Sequence, residues 1–184
     1  LIASSHHLRK LPTSLPGQDT IPWLPVDLTA RILTELLFSD IDDPPPTTTT
    51  SAWTLHHNII NPTPGSWTSL LPTITAALSA SGPVEMQTVG FAEWVEALRD
   101  SGEAGGNGMG ERGGNGKGDV GGIGDVNLNP AIKLLDWFEG MGASAGAEVA
   151  ELHTRASRKR SGTLGGVPAV GEGWMGVWLG QWGF

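Results

Sequence analysis

Residues 102–124 most restrict what this chain can build. Roughly half of them are glycine. Glycine at that density loses more entropy on ordering than any small apolar gain can offset. No core can form there, so the core must come from the flanks. Residues 102–127 are therefore expected to be a disordered insert. The stretch "GMGERGGNGKGDVGG" matches G-x-G-x-x-G twice, at Gly108 to Gly113 and at Gly116 to Gly121. A dinucleotide loop of that pattern needs a buried strand leading in and a helix leading out, so that helix N–H groups face the phosphate. The approach, "RDSGEAGGN", has no β-branched or aromatic run. The exit, "GIGDVN", has no helical period. Both matches are read as consequences of glycine density.

The 184 residues suffice for one domain with a core. The net charge of −8 argues against a nucleic-acid backbone as partner. Arg158-Lys159-Arg160 is short and is read as a solvated loop. Cysteine is absent, which excludes disulfides, thiolate metal sites and a cysteine nucleophile. That suits a reducing, cytoplasmic setting. No apolar stretch approaches the ~20 residues of a membrane helix. The first residues, "LIASSHH", do not resemble a signal peptide and lack an initiator Met, so the chain is expected to begin inside a longer one.

Along the chain, "TIPWLPV" (20–26) reads as extended, with two prolines that bar it from the centre of a sheet. Asp27 then stands as an N-cap before a helical stripe of Leu28, Ile32, Leu33, Leu36 and Leu37. Residues 40–51 form a polar Pro/Thr loop. "WTLHHNII" (53–60) reads as a strand covered on both faces. A helix follows with Leu70, Leu71, Ile74, Ala77 and Leu78. Its Pro72 is tolerable if Thr68 or Ser69 is the cap. Residues 83–89 suggest a short strand. The next helix carries Phe91, Trp94, Val95 and Leu98, with Gly102 as its stop. Asn129-Pro130 caps a helix of Ala131, Leu134, Leu135 and Phe138. A last helix places Trp174, Trp178 and Trp182 on what is read as its buried face. The outcome is an α/β chain, mostly helical with two or three short strands. It has too few strands for a complete doubly wound sheet.

Chemistry is sparse. His56 and His57 are strand neighbours and point to opposite faces, so they do not chelate one ion together. No second set of metal-ligand spacing exists. Ser66 and Ser69 lie near these histidines, but no nucleophile elbow frames them. No catalytic, cofactor-binding or metal-binding residue emerges from the pattern itself.

The ordered segments nonetheless resemble one family. They are "SSHHL" from Ser4, "LPTSLPGQDTIPWLPVDLTARILTEL" (11–36), "HNIINPTPGSWTSLLPTI" (57–74), "VGFAEWVEALRDSG" (89–102), "NPAIKLLDWFEGM" (129–141), "SGTL" (161–164) and "WMGVWLGQWGF" (174–184). Their order resembles the C-terminal portion of the thioester reductase domain of fungal nonribosomal-peptide-synthetase-like adenylate-forming reductases. Such domains are extended short-chain dehydrogenases with a Rossmann-like fold. They reduce an acyl thioester, held on a carrier protein's phosphopantetheine arm, with NADPH. The resemblance implies that residues 1–184 form a single incomplete reductase-like domain, the substrate-side part. The phosphate loop and the Tyr-x-x-x-Lys motif would lie upstream. The chain has no tyrosine. No other side chain here supplies the phenol that polarises the carbonyl and delivers the proton. Alone, the chain is therefore expected to be inactive and to bind no cofactor. By resemblance, Trp23, Pro25, His57, Asn61 and Pro62 are candidates for the wall of the acyl pocket. The implied partners are a carrier-bound acyl thioester or the upstream reductase half. A standalone, non-catalytic module that docks a carrier protein or partner reductase is the alternative.

Overall fold

A computed structural model describes residues 1–39, 56–82, 85–106, 128–143 and 152–184. The expected Pro/Thr loop at 40–51 lies outside these residues, as does all of the expected insert except its first five residues. Among the described residues the chain is mostly helical with four short strands.

The chain opens with α1 (Ile2–Leu8), whose Ser4 and Ser5 are fully buried. Both hydroxyls have work to do. Ser4 Oγ accepts from the Ala131 N–H at 2.9 Å, and Ser5 Oγ accepts from Trp94 Nε1 at 3.0 Å. Burial of two serines is tolerable because each is paired. β1 (Lys10–Pro12) follows and pairs in parallel with β4 (Gln87–Val89), Leu11 opposite Thr88. β2 (Thr20–Ile21) pairs antiparallel with β3 (Gly65–Ser66). Gly65 is required there, because a Cβ would lie 2.8 Å from the carbonyl oxygen of Val170.

The remaining helices are α2 (Val26–Phe38), α3 (Trp67–Ala80), α4 (Phe91–Gly106), α5 (Leu135–Ala143), α6 (Arg155–Arg160), α7 (Gly162–Gly165) and α8 (Glu172–Trp182). A 3₁₀ turn, Pro130–Leu134, leads into α5. The main core gathers Leu11, Trp67, Leu70, Ile74, Trp94, Leu98, Phe138, Met175 and Leu179 from α3, α4, α5, α8 and β1. A smaller core joins Ile32 of α2 to Leu164 of α7 and Val167. Trp174 packs against both cores. No helix among the described residues is long and apolar enough to cross a membrane.

Several expectations need correction. Asp27 is not the cap of α2. Pro25 holds that position with an extended backbone, and its carbonyl takes the first helical bond from the Thr29 N–H at 2.9 Å. Asp27 lies inside the first turn, where a carboxylate favours the helix dipole. Only Ile32 of the α2 stripe is buried, while Leu33 and Leu37 face outward.

The α3 cap is Ser66, which accepts from the Ser69 N–H at 3.2 Å. Pro72 therefore sits in the second turn. It is exposed, so water can solvate the carbonyl it leaves unpaired.

Gly102 does not stop α4, which runs on to Gly106. Tertiary contacts hold the turn just before Gly102. Arg99 pairs with Glu139 at 2.7 Å, and Asn129 Nδ2 donates to Ser101 Oγ at 3.1 Å.

In α8 the buried residues are Met175 and Leu179, while Trp182 is exposed. Leu134, expected in a stripe, is also exposed.

The strand expected at 53–60 is absent in its described half, since residues 56–60 are irregular. Among the described residues no ladder partner reaches them. Asn58 Nδ2 donates to the His153 carbonyl at 3.0 Å, and the Asn61 N–H donates to the Pro22 carbonyl at 3.0 Å. β-forming residues there mark a half-buried segment, which is what that propensity mostly measures. Arg158-Lys159-Arg160 belongs to helix α6 and is not a loop.

Candidate functional site

The described residues enclose an open groove of about 1040 Å³. Three segments enclose it: residues 17–22 around β2, residues 60–64 before β3, and residues 152–158 at the start of α6. Each segment is held by side chain-to-backbone bonds.

Asn61 is the central clamp. It is 2% exposed. Its Nδ2 donates to the carbonyls of Pro168, at 2.8 Å, and Trp23, at 3.3 Å. Its Oδ1 accepts from the Thr63 N–H at 2.9 Å. One amide thus ties three stretches of chain that are remote in sequence. All of its principal hydrogen-bonding capacity is spent on the protein.

The second clamp is Glu35 on α2. Its carboxylate accepts from Thr163 Oγ1, from Ser161 Oγ at 2.7 Å and from the Thr163 N–H at 3.1 Å. Arg31 Nε also donates to it at 3.2 Å. The Thr163 hydroxyl, and then the Ser161 hydroxyl, hold the Glu35 carboxyl down at about 2, below the usual 4.5. Ser161 Oγ in turn accepts from the Leu164 N–H at 3.0 Å and caps α7. Glu35 therefore binds α2 to the α6–α7 corner that carries one wall of the groove.

A folded-state pKa below the unfolded value gives stability that is complete above about pH 4.5 and is lost as pH falls toward 2. Melting temperatures of the wild type and Glu35→Gln should differ by a constant amount above that window and converge within it. Parallel curves from pH 7 to 2 would exclude this role.

The five pocket candidates divide. Asn61 and Pro62 line the groove. Trp23 is not among its lining residues; it is partly exposed and packs its ring 6.2 Å from that of Trp178. Pro25 is buried as the α2 cap. His57 is half-buried, and its Nδ1 has no hydrogen-bond partner. No group of three or more His, Asp or Glu at metal-binding distance occurs among the described residues. Ser66 and Ser69 are engaged in capping α3, with Ser69 Oγ donating to the Ser66 carbonyl at 2.7 Å.

Sequence reading missed Arg155 and Arg158, both of which line the groove. The available signal was the R-x-x-R spacing, which puts both on one helical face. The element that runs up to residue 106, just before the first G-x-G-x-x-G match, is helix α4. The strand that a dinucleotide loop requires is not what feeds it.

No protein-family model matches the chain. Over its full length it is 30% identical to a carboxylic acid reductase of Neurospora crassa, of which it covers 15%. Over 99% of its length it is 25% identical to adenylate-forming reductase Nps9 of Serpula lacrymans var. lacrymans, again covering 15%. It is also 29% identical to clavatol synthase claF of Penicillium crustosum, over 99% of this chain and 6% of that protein. The chain resembles one part of these fungal carboxylic acid and adenylate-forming reductases. It spans about 15% of the length of these two reductases. The matched region takes in α1 to α8 together with both clamps and the groove.

Proposed function

We propose that this chain is the substrate-side part of a cytoplasmic, Rossmann-like, NADPH-dependent reductase domain that acts on carrier-bound acyl thioesters. The observation that carries this reading is the full-length match to the Neurospora crassa carboxylic acid reductase. The absence of tyrosine supports a division of labour. The nucleotide loop and the Tyr-Lys pair would come from a preceding region, and this chain would shape the acyl side. Asn61 and Pro62 would contribute to the pocket wall, Asn61 by fixing the backbone and Pro62 by direct contact. Trp23, Pro25 and His57 would support that wall from outside the groove. A non-catalytic module that docks a carrier protein is the second reading, favoured by the groove's basic rim.

The test is reconstitution. The chain alone should consume no NADPH with an acyl-phosphopantetheinyl thioester. Joined to a nucleotide-binding half from a fungal adenylate-forming reductase, it should give thioester-dependent NADPH oxidation at least ~100-fold above either part, the scale on which proximity and orientation operate. Activity from the nucleotide-binding half alone, with no gain on adding this chain, would exclude the catalytic reading.

A further inference from the structure

The chain holds 19 acidic residues against 11 Lys and Arg, so a cation here has many carboxylates to choose from. Of the other described arginines, Arg9, Arg31 and Arg99 each have a partner, while Arg160, which does not line the groove, has none among the described residues. Arg9 donates to the Leu78 carbonyl at 2.8 Å, Arg31 pairs with Glu35, and Arg99 pairs with Glu139. Arg155 and Arg158 have neither a hydrogen bond nor an ion pair among the described residues. They sit at i and i+3 on α6, and both line the groove. Among the described residues no Asp or Glu lines it.

The helix that carries them is anchored. Ser157, between them, is 1% exposed, and the Ser161 that ends the helix is held by Glu35. Just before the helix, the His153 carbonyl accepts from Asn58 across the groove wall. The other lining residues mix apolar Pro22, Ile60, Pro62, Pro64 and Leu152 with polar Gln18, Thr20, Asn61, His153 and Thr154. Two solvated cations on a flexible loop would be unremarkable as a site. Two on an anchored helix, lining a groove with an apolar wall and with no carboxylate among its described lining residues, form a site with stated chemistry. Guanidinium forks match phosphate and carboxylate oxygens, and anchoring reduces the entropy lost on binding.

We infer that this groove binds a small ligand with an anionic head and an uncharged, apolar body. Arg155 and Arg158 take the head, and the Pro22–Ile60–Pro62 wall takes the body. The volume, at the upper end of the roughly 300–1,000 Å³ usual for small-molecule sites, suits an extended ligand. The inference goes beyond the proposed reaction and does not depend on it, since it concerns binding alone.

Calorimetric titration of the full chain tests it, with octyl phosphate, octanoate, octanol and inorganic phosphate as probes. Octyl phosphate should bind saturably, and more tightly than either octanol or inorganic phosphate by at least about tenfold, because head and body both contribute. The rank of octyl phosphate against octanoate tells a phosphate ester from a carboxylate as the natural head. Arg155→Ala with Arg158→Ala should weaken octyl phosphate at least about tenfold at an unchanged melting temperature. Arg155→Lys with Arg158→Lys should restore part of the loss. Arg160→Ala, off the groove, should change nothing. Equal affinity for octanol and octyl phosphate would overturn the inference. So would binding of polyglutamate or an oligonucleotide that octyl phosphate does not displace and that Arg160→Ala weakens equally, because that pattern marks a polyanion patch.

Discussion

Trp94→Ala should destabilise the chain by about 3–5 kcal/mol, the scale for emptying a fully buried large aromatic site. Trp94 is 0% exposed and sits where three elements meet. Its indole N–H donates to Ser5 Oγ on α1 at 3.0 Å. Its ring meets the edge of Phe138 on α5 at 5.0 Å and stacks with Phe91 at 6.2 Å. Alanine would remove the contacts between α1, α4 and α5 together and leave Ser5 Oγ buried without that donor. For a chain of this size the melting temperature should fall by roughly 6–20 °C. Trp94→Phe separates the contributions. It keeps much of the volume and loses the hydrogen bond, so it should cost about 1–3 kcal/mol. A Trp94→Ala protein that melts within about 2 °C of wild type would show that this core is not cooperative in the way described.

The second large effect is expected at Asn61. Asn61→Ala should cost about 2–4 kcal/mol, because it strips partners from the Pro168 and Trp23 carbonyls and the Thr63 N–H in one step. Asn61→Asp should be at least as damaging, since a carboxylate would face two carbonyl oxygens with no proton to give. Pro62→Ala, beside it on the groove, should change stability by less than about 1 kcal/mol. The pair of residues thus separates scaffold from wall. If Asn61→Ala left the melting temperature unchanged and altered only ligand binding, Asn61 would be a ligand contact and not a clamp. Chemical denaturation of the three variants, read beside octyl phosphate titration, distinguishes these outcomes.

Much of the helical content was legible because it rests on local rules. Apolar residues at i, i+3 and i+4 marked α3 through Leu70, Ile74 and Leu78, and α4 through Phe91, Trp94, Val95 and Leu98, and these faces are buried. Asn129-Pro130 marked the start of the 3₁₀ turn before α5. Of the five pocket candidates, Asn61 and Pro62 line the groove, and Asn61 serves there as a clamp. The arginines were passed over because a short basic run reads as a solvated surface.

Where the reading failed, long-range contacts had decided the outcome. α8 is apolar nearly all round, so its sequence offers two adjacent stripes, 174/178/182 and 175/179. Only packing against α3 selects Met175 and Leu179. α4 passes through Gly102, and Asn129 and Glu139, distant in sequence, hold the turn just before it. Residues 56–60 have strand-forming side chains, yet among the described residues no neighbouring strand supplies a ladder, so they remain irregular.

The sequence by itself determined which segments are helical, which residues could enter a core, and that no side chain here supplies a catalytic phenol. These follow from hydrogen-bond geometry, period and residue chemistry within a few positions. The tertiary structure alone decided which of two apolar faces is buried. It also decided that Glu35 joins α2 to α7, and that Arg155 and Arg158, without partners among the described residues, line one groove. Those depend on which remote groups arrive within bonding distance, and no local pattern encodes that.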